Sequence, residues 1–597
     1  MLATKSGQQS GQRTKIPHDL ARLKLKAYNK LTALYKGRKR DKTMFDHTKY
    51  RPFAAINKPD RKWPANTITK APIWCSVDLR DGNQALIEPM NVSQKLLMWD
   101  LLIRMGFKNI EVGFPSASQT DFDFVRTLID EKKIPDDVTI QVLVQARDQL
   151  IKRTFESLKG AKQAIVHVYN STSPVQRKKV FNLDKQGIID IAKHGASKVM
   201  SCAQQQPETH WTFQYSPESF SSTEVDFAVE VCNAVVDVWQ PTAANKCIIN
   251  LPATVECAGP NIFADQVELF CETINNRNSI IISIHTHNDR GCAVAAAEMA
   301  ILAGADRIEG TLMGNGERTG NMDIITMGMN LYSQGIDPQL DLSDAYEITK
   351  TVEECTNIPT HARHPWMGDL VYTAFSGSHQ DAIKKCLSLQ SKGEVWDVAY
   401  LPIDPNDIGK DYQSVIRVNS QSGKGGVAYM LEANHGIQLP RWMQIEVSQA
   451  VQKYTEENQC EVNSDTIWEI YRQTFNIQDR TLILDGYEIS NHNEQQTIKA
   501  EVTKNGRSII IKGEGQGALE AFCNGLSQHF AIDIDIKQYE QTSIGEHNNA
   551  KALAMISMTV NGKKFVCSTD SDDTLKASFN TLLVGVEMHF DNDDAVA

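Results

Sequence analysis

From residue 74 to residue 311 the sequence repeats one pattern about eight times: a short apolar run that ends in polar residues, then a helix-like stretch. The runs are Trp74–Asp78, Asn109–Phe114, Thr139–Val144, Ala164–Tyr169, Trp211–Ser216, Cys247–Leu251, Ser279–His285 and Arg307–Thr311. Gln94–Met105 and Ala293–Ala303 are examples of the amphipathic stretches between them. Strands alternating with helices over roughly 240 residues predict an α/β fold, a closed (β/α)8 TIM barrel. A doubly wound open sheet is the alternative. It fits less well, because polar residues of unusual type follow nearly every run instead of clustering at one switch point.

In such a barrel the chemistry lies at the C-terminal ends of the strands. Those ends carry Arg80 and Asp81, Pro115, Leu143 and Gln145, His167 and Tyr169, then Ser216 and Glu218. Asn250, Pro252 and Thr254 follow the sixth run, and His285 and His287 end the seventh. Side chains two apart on a strand share a side, so the imidazoles of Ser283-Ile-His-Thr-His-Asn-Asp-Arg-Gly291 point the same way. Two imidazoles are half of a metal site, and Leu79-Arg-Asp-Gly-Asn-Gln84 is able to supply the carboxylate. Alone, His-X-His more often marks hydrogen-bonding histidines at a strand end; paired with Arg-Asp it favours metal. The loop Gly314-Asn-Gly-Glu-Arg-Thr-Gly-Asn321 lacks the spacing of a dinucleotide fingerprint. Its glycines allow close approach to a ligand, a tight turn being the plainer alternative, and it brings Glu317, Arg318 and Asn321 beside the candidate metal.

A divalent cation on Asp81, His285 and His287 keeps open positions at which a 2-oxo acid could chelate. Arg80 would stabilise the alkoxide formed when a second, C–H-acidic substrate adds to the keto carbon. That addition requires a general base. His379 and Tyr412 are candidates, with apolar packing and loop hydrogen bonds equally ordinary fates for them.

The 597 residues suggest several domains, and the net charge of −11 argues against nucleic acid as a partner. The twelve cysteines form no Cys-X-X-Cys pair and fit a reducing compartment, hence the cytoplasm. No apolar run is long enough to span a membrane. Residues 1–45 are basic, most densely at Lys36-Gly-Arg-Lys-Arg-Asp-Lys42. Leu20, Leu23, Leu25, Tyr28, Leu31 and Leu34 read there as a solvated helix, with a mitochondrial transit peptide as the alternative. Tyr50 to Pro72 reads as an extended arm.

After about residue 345 the rhythm stops. His361-Ala-Arg-His-Pro-Trp-Met-Gly368 is dense in His and Pro, and Gln380–Leu389 and residues 427–475 look helical. At the C-terminus Val502-Thr-Lys-Asn-Gly506 repeats as Met558-Thr-Val-Asn-Gly562, each Asn-Gly between alternating apolar runs. This predicts two β-hairpin–helix units related by a pseudo-twofold, an α+β domain whose repeat is either architectural or a seat for a small effector. The expected domains are 1–70 (extension and arm), 71–345 (catalytic barrel), 346–484 (helical linker subdomains) and 485–597 (regulatory domain).

The motifs at Leu79–Gln84, His285–Asp289 and Gly314–Asn321 together resemble the superfamily of metal-dependent Claisen-condensing barrel synthases and lyases. With Trp63-Pro, Ile68-Thr-Lys-Ala-Pro72, Val418-Asn-Ser-Gln-Ser-Gly-Lys-Gly-Gly426 and the repeated C-terminal domain, the chain is closer still to the long-form 2-isopropylmalate synthase family. The resemblance implies condensation of acetyl-CoA with 3-methyl-2-oxobutanoate, the committed step of leucine synthesis, with feedback by leucine. It implies a divalent metal (Mg2+, Mn2+ or Zn2+) on Asp81, His285, His287 and Asn321, with K+ as a further activator. Arg80 matches the keto-oxygen residue, and Glu317 joins the catalytic set. Leu143, His167, Tyr169, Ser216, Glu218, Asn250, Pro252 and Thr254 match the substrate pocket. His379 and Tyr412 match residues donated across a homodimer with shared active sites. Gly515, Gly517, Leu519 and Ala521 match the leucine region, although Ala518 stands where the family usually has Pro. Homocitrate and citramalate synthases share the metal motif, and a non-catalytic amino-acid sensor is the alternative of another class.

Overall fold

The computed structural model describes residues 46–410, 424–458, 462–475, 480–492, 495–504, 506–544 and 550–594. The basic segment, the Leu20–Leu34 pattern, Tyr412 and most of Arg417–Gly426 lie outside the described residues. The chain divides into two units, 1–57 and 58–597. In the first, Asp46 caps a single turn at His47–Lys49.

Eight parallel strands close into a barrel in sequence order. They are β1 (Ile73–Ser76), β2 (Asn109–Gly113), β3 (Thr139–Gln145), β4 (Gln163–Ser171), β5 (His210–Glu218), β6 (Cys247–Ala253), β7 (Ile280–Thr286) and β8 (Arg307–Gly310). β1 pairs in parallel with β8, with Ile73 beside Arg307, which closes the ring. The strands are rich in apolar and β-branched residues because helices cover the outer face of the barrel. Eight helices follow them in turn: α1 (Val92–Met105), α2 (Gln119–Asp130), α3 (Asp148–Leu158), α4 (Lys185–Gln204), α5 (Val225–Trp239), α6 (Pro260–Thr273), α7 (Ala293–Leu302) and α8 (Ile324–Tyr332). Their starts are written in the sequence. Asn91 and Gln94 form a capping box on α1, and Ser118, Asp184 and Asp323 cap α2, α4 and α8.

Residues from Lys58 onward are strapped to α6. Lys58 pairs with Glu272, Arg61 holds both oxygens of Asp265, and the Trp63 indole donates to Asp265. After the barrel come α9 (Ala345–Thr356), α10 (Gly377–Leu389), α11 (Lys424–His435), α12 (Arg441–Asn458) and α13 (Ser464–Thr474). Leu431, Val447, Ile467 and Tyr471 from the last three pack with Leu553 and Met555 in one cluster, so the helical linker leans on the C-terminal domain.

That domain holds two copies of a strand–strand–strand–helix unit. The first is β9 (Leu482–His492), β10 (Gln495–Lys504), β11 (Arg507–Gly515) and α14 (Ala518–Phe530). The second is β12 (Ile534–Ile544), β13 (Lys551–Val560), β14 (Lys563–Ser571) and α15 (Thr574–Asp594). The sheets are ordered β11-β10-β9 and β12-β13-β14. Each expected hairpin is present, but a further strand precedes it. Asn561 and Gly562 turn the second hairpin with φ of 50° and 78°, the left-handed pair a tight two-residue turn requires.

Candidate active site

Beyond β1 the chain makes one widened helical turn in which the amides of Arg80, Asp81 and Gly82 all donate to the Val77 carbonyl. The turn is tied to the loop after β8: Asp78 accepts from the Leu312 amide, and the Asn315 side chain donates to the Gly82 carbonyl at 3.1 Å. Asp81 is thereby carried to the end of β7. Ligand atoms of Asp81, His285 and His287 all lie within 4.8 Å of one another, and all three residues are buried. His285 Nε2 is 3.2 Å from Asp81 Oδ2, and His287 Nε2 is 3.8 Å from the same oxygen.

Asn321 reaches the group through backbone pairing with His287. Gly314 and Gly316 make this possible: a Cβ on Gly316 would sit 2.4 Å from Asn321 Nδ2, and Gly314 (φ 70°) accepts from the Asn321 amide. Asn321 Oδ1 and His287 Nδ1 are buried without a hydrogen-bond partner. Buried polar atoms are rarely left so. One carboxylate and two imidazoles suit a divalent cation, and the orphan Oδ1 of Asn321 beside them is an atom that an ion would satisfy. The residues fit the metal.

The electrostatics of the site are mutual. Burial pushes the Asp81 carboxyl up, but the Arg80 guanidinium and His285 outweigh it and hold it below the usual carboxylate range. Burial lowers His285, yet hydrogen bonds to Asp81 and Glu309 carry it up to about 9. Burial, reinforced by the charge on His285, takes His287 down to about 4. Arg80 donates Nη1 to Asp81 Oδ1 and Nε to Glu111, so its planar fork is fixed.

A cavity of about 650 Å³ opens over this group, within the range of small-molecule sites. Arg80, Asp81, His285, His287 and Glu317 line it, as do Leu143, His167 and Tyr169, Ser216 and Glu218 from β5, Asn250 and Pro252 from β6, and Thr254 just after it. His167 Nε2 meets Ser216 Oγ at 2.7 Å, and Asn250 donates to the same hydroxyl at 3.0 Å. Phe114, Ala117, Ser118 and Asp121 extend the wall. His379 does not line the cavity: it is exposed and stacks on Tyr400 with ring centroids 3.9 Å apart.

Residues 71–352 match the HMGL-like family, residues 369–432 the alpha-isopropylmalate synthase post-catalytic domain-like family, and residues 461–590 the LeuA allosteric (dimerisation) domain. The 2-isopropylmalate synthase of Pseudomonas entomophila (strain L48) is 54% identical over 551 residues, covering 92% of this chain and 98% of that protein. That of Pseudomonas syringae pv. tomato (strain ATCC BAA-871 / DC3000) is 55% identical over 535 residues, 89% of this chain and 96% of its own. Among solved structures, hydroxymethylglutaryl-CoA lyase from Pseudomonas aeruginosa aligns with a TM-score of 0.40 and 18% identity over 49% of this chain and 95% of the lyase.

The chain belongs to the 2-isopropylmalate synthase family. It is an enzyme of the acyltransferase class. What the strand-end reading missed in this synthase is the layer beneath the cavity. Glu111, Gln141, Gln214, Ser283, Arg307 and Glu309 are all buried inside the barrel. Arg307 donates to Glu309 at 2.7 Å, Gln141 at 2.8 Å and Ser283 at 2.9 Å. Gln141 passes a bond to Glu111, which also takes His167 Nδ1 at 2.8 Å. The available signal was a charged residue inside an apolar run, as in Asn-Ile-Glu-Val and Arg-Ile-Glu-Gly.

In the C-terminal domain Gly517 caps α14 and Ala521 is buried beneath it. A Cβ on Gly515 would lie 2.6 Å from the Ala521 amide, and one on Gly513 would lie 2.0 Å from the Ala521 carbonyl. These two glycines let α14 pack onto β11. Leu519 is half-buried on the same helix.

Proposed function

We propose that the barrel site condenses acetyl-CoA with 3-methyl-2-oxobutanoate and hydrolyses the thioester, giving 2-isopropylmalate and CoA. The observation that carries this reading is the convergence of Asp81, His285 and His287 within 4.8 Å beside Arg80, under a cavity of about 650 Å³. A divalent cation (Mg2+, Mn2+ or Zn2+) bound by those three residues and Asn321 would supply Lewis-acid polarisation of the keto group. Arg80, clamped by Glu111 and Asp81, puts a fixed positive charge where the alkoxide develops, in surroundings that strengthen it. We assign Leu143, His167, Tyr169, Ser216, Glu218, Asn250, Pro252 and Thr254 to the substrate and Glu317 to the catalytic set; all of them line the cavity. We assign the base that takes the acetyl proton to His379 with Tyr412, supplied by a second copy of the chain in a homodimer. The exposed place of His379 away from its own cavity supports this.

We assign residues 1–70 to the extension and arm, 71–345 to catalysis, 346–484 to the linker and 485–597 to leucine feedback, with Gly515, Gly517, Leu519 and Ala521 at the effector seat. The free cysteines of the described residues suit the cytoplasm.

The test is thiol release from acetyl-CoA across a panel of 2-oxo acids and divalent cations, with and without K+ as activator. Release dependent on 3-methyl-2-oxobutanoate is expected, and leucine should suppress it. Preference for 2-oxoglutarate or pyruvate would make the chain a homocitrate or citramalate synthase; no release from folded, metal-loaded protein would leave an amino-acid sensor. Deleting residues 485–597 should abolish leucine inhibition, with the oligomeric state measured alongside.

A further inference from the structure

We propose that Glu309, itself held by Arg307, is the positioning residue of the metal centre: it fixes His285 as the Nδ1–H tautomer and so presents Nε2 to the cation. The inference rests on the divalent-metal reading above. Strand register sets it up, since β7 and β8 pair with His285 directly beside Glu309. The two carboxylate oxygens divide the work. Oε1 accepts from Arg307 Nη1 and Gln214 Nε2, each at 2.7 Å, and Oε2 meets His285 Nδ1 at 2.9 Å. A carboxylate with those donors on its other oxygen acts here as an acceptor, so Nδ1 retains its hydrogen and Nε2 is the nitrogen whose proton gives way to the cation, freeing its lone pair. Nε2 is the nitrogen turned toward Asp81.

Arg307 makes this arrangement affordable. Burying Glu309 alone would be prohibitive, but the guanidinium beside it neutralises the charge and is itself tied to Gln141, Ser283 and Asn109. His287 has no such support: its Nδ1 is buried without a partner. The two imidazoles are therefore unequal, and His285 is the anchored ligand. A carboxylate behind a ligating histidine raises the basicity of the ring and fixes its orientation, and losing it typically costs 10–100-fold in metal affinity.

The experiment uses the full-length protein, stripped with a chelator and titrated with Mn2+ by calorimetry, with the absorption spectrum of bound Co2+ as a second readout. Glu309→Gln should raise the Mn2+ dissociation constant by about 10–100-fold and shift the Co2+ bands. An unchanged dissociation constant and spectrum, accompanied only by a lower melting temperature of the metal-free variant, would overturn the proposal and leave Glu309 a packing residue. A wild-type chain that binds neither ion would instead overturn the metal reading itself. Should Glu309→Gln fail to fold, a crystal structure of the wild type with Mn2+ decides. His285 coordinating through Nε2 with Nδ1 against Glu309 supports the proposal, and coordination through Nδ1 ends it.

Discussion

The barrel and the paired C-terminal units are both made of strands covered by helices, yet they fill their interiors differently. The barrel buries Glu111, Arg307 and Glu309 beneath its cavity, each paired and hydrogen-bonded. The C-terminal core is mostly Leu, Ile, Val and Phe, with hydroxyls such as Thr569 and Thr581 bonded to the Ala577 carbonyl. Buried charge is costly, and a paired set often contributes less stability than apolar residues of the same size. Its presence on one side and scarcity on the other separates an interior built to hold chemistry from one built to pack. Glycine shows the same divide. Gly314 and Gly316 let a loop close around Asn321, whereas Gly513 and Gly515 let a helix touch a strand.

If the barrel interior serves chemistry, His285→Ala should do the greatest harm to turnover with the least harm to folding. We expect kcat to fall by well over the roughly 10–100-fold typical of an outer-shell partner, with weaker metal binding and an unchanged circular dichroism spectrum. Undiminished thiol release would end the metal assignment. Arg80→Lys keeps the charge but loses the fork that reaches both Asp81 and Glu111. A loss of about 10²–10³ in kcat is expected, the usual cost of removing one oriented donor from a developing oxyanion. Stopped-assay kinetics with a fixed metal concentration would measure it.

The strand-end residues were legible because a polar side chain after an apolar run is a local signal. The barrel order followed from rhythm alone. The buried layer was not legible, because its partners are distant in the chain: Arg307 meets Gln141 across 166 positions. Nothing local to Arg-Ile-Glu-Gly tells a buried ion pair from a solvated strand end. The first strand of each C-terminal unit was missed for the opposite reason. β12 is exposed along most of its length, so Ile534-Asp-Ile-Lys-Gln-Tyr-Glu-Gln carries only a weak apolar alternation. Pairing with β13 holds it as a strand.

The packing half of the comparison is tested at Gly513. Ala there would place a methyl 2.0 Å from the Ala521 carbonyl, so α14 must shift from β11. Overpacking of this kind costs about 1–3 kcal/mol. We expect the C-terminal domain to melt earlier in a calorimetric scan. Gly517→Ala should cost less, since nothing lies within 4 Å of its Cβ position. Equal effects at the two positions would mean that close packing is not what Gly513 provides.

The finest test concerns Asp78, which is buried at the seam between β1 and β8 and lies outside the lining of the cavity. Burial pushes its carboxyl from 3.8 up to about 7, against hydrogen bonds from Ser76 and the Leu312 amide that favour the charged form. The folded protein therefore holds this proton more tightly than the unfolded chain. The group's contribution to stability is fully present below about pH 3.8 and is lost as pH rises through about 7. Asp78→Asn cannot titrate. The stability of the wild type relative to this variant should therefore fall between pH 5 and 7 by at most about 1.4 kcal/mol per pH unit. Paired thermal melts across that window measure the difference. A falling difference would class the seam with the packing interior, its carboxyl kept neutral by burial. A flat one would mean that Asp78 stays ionised, as Asp81 does three residues on, and that the charged character of the site extends down to the closure of the barrel.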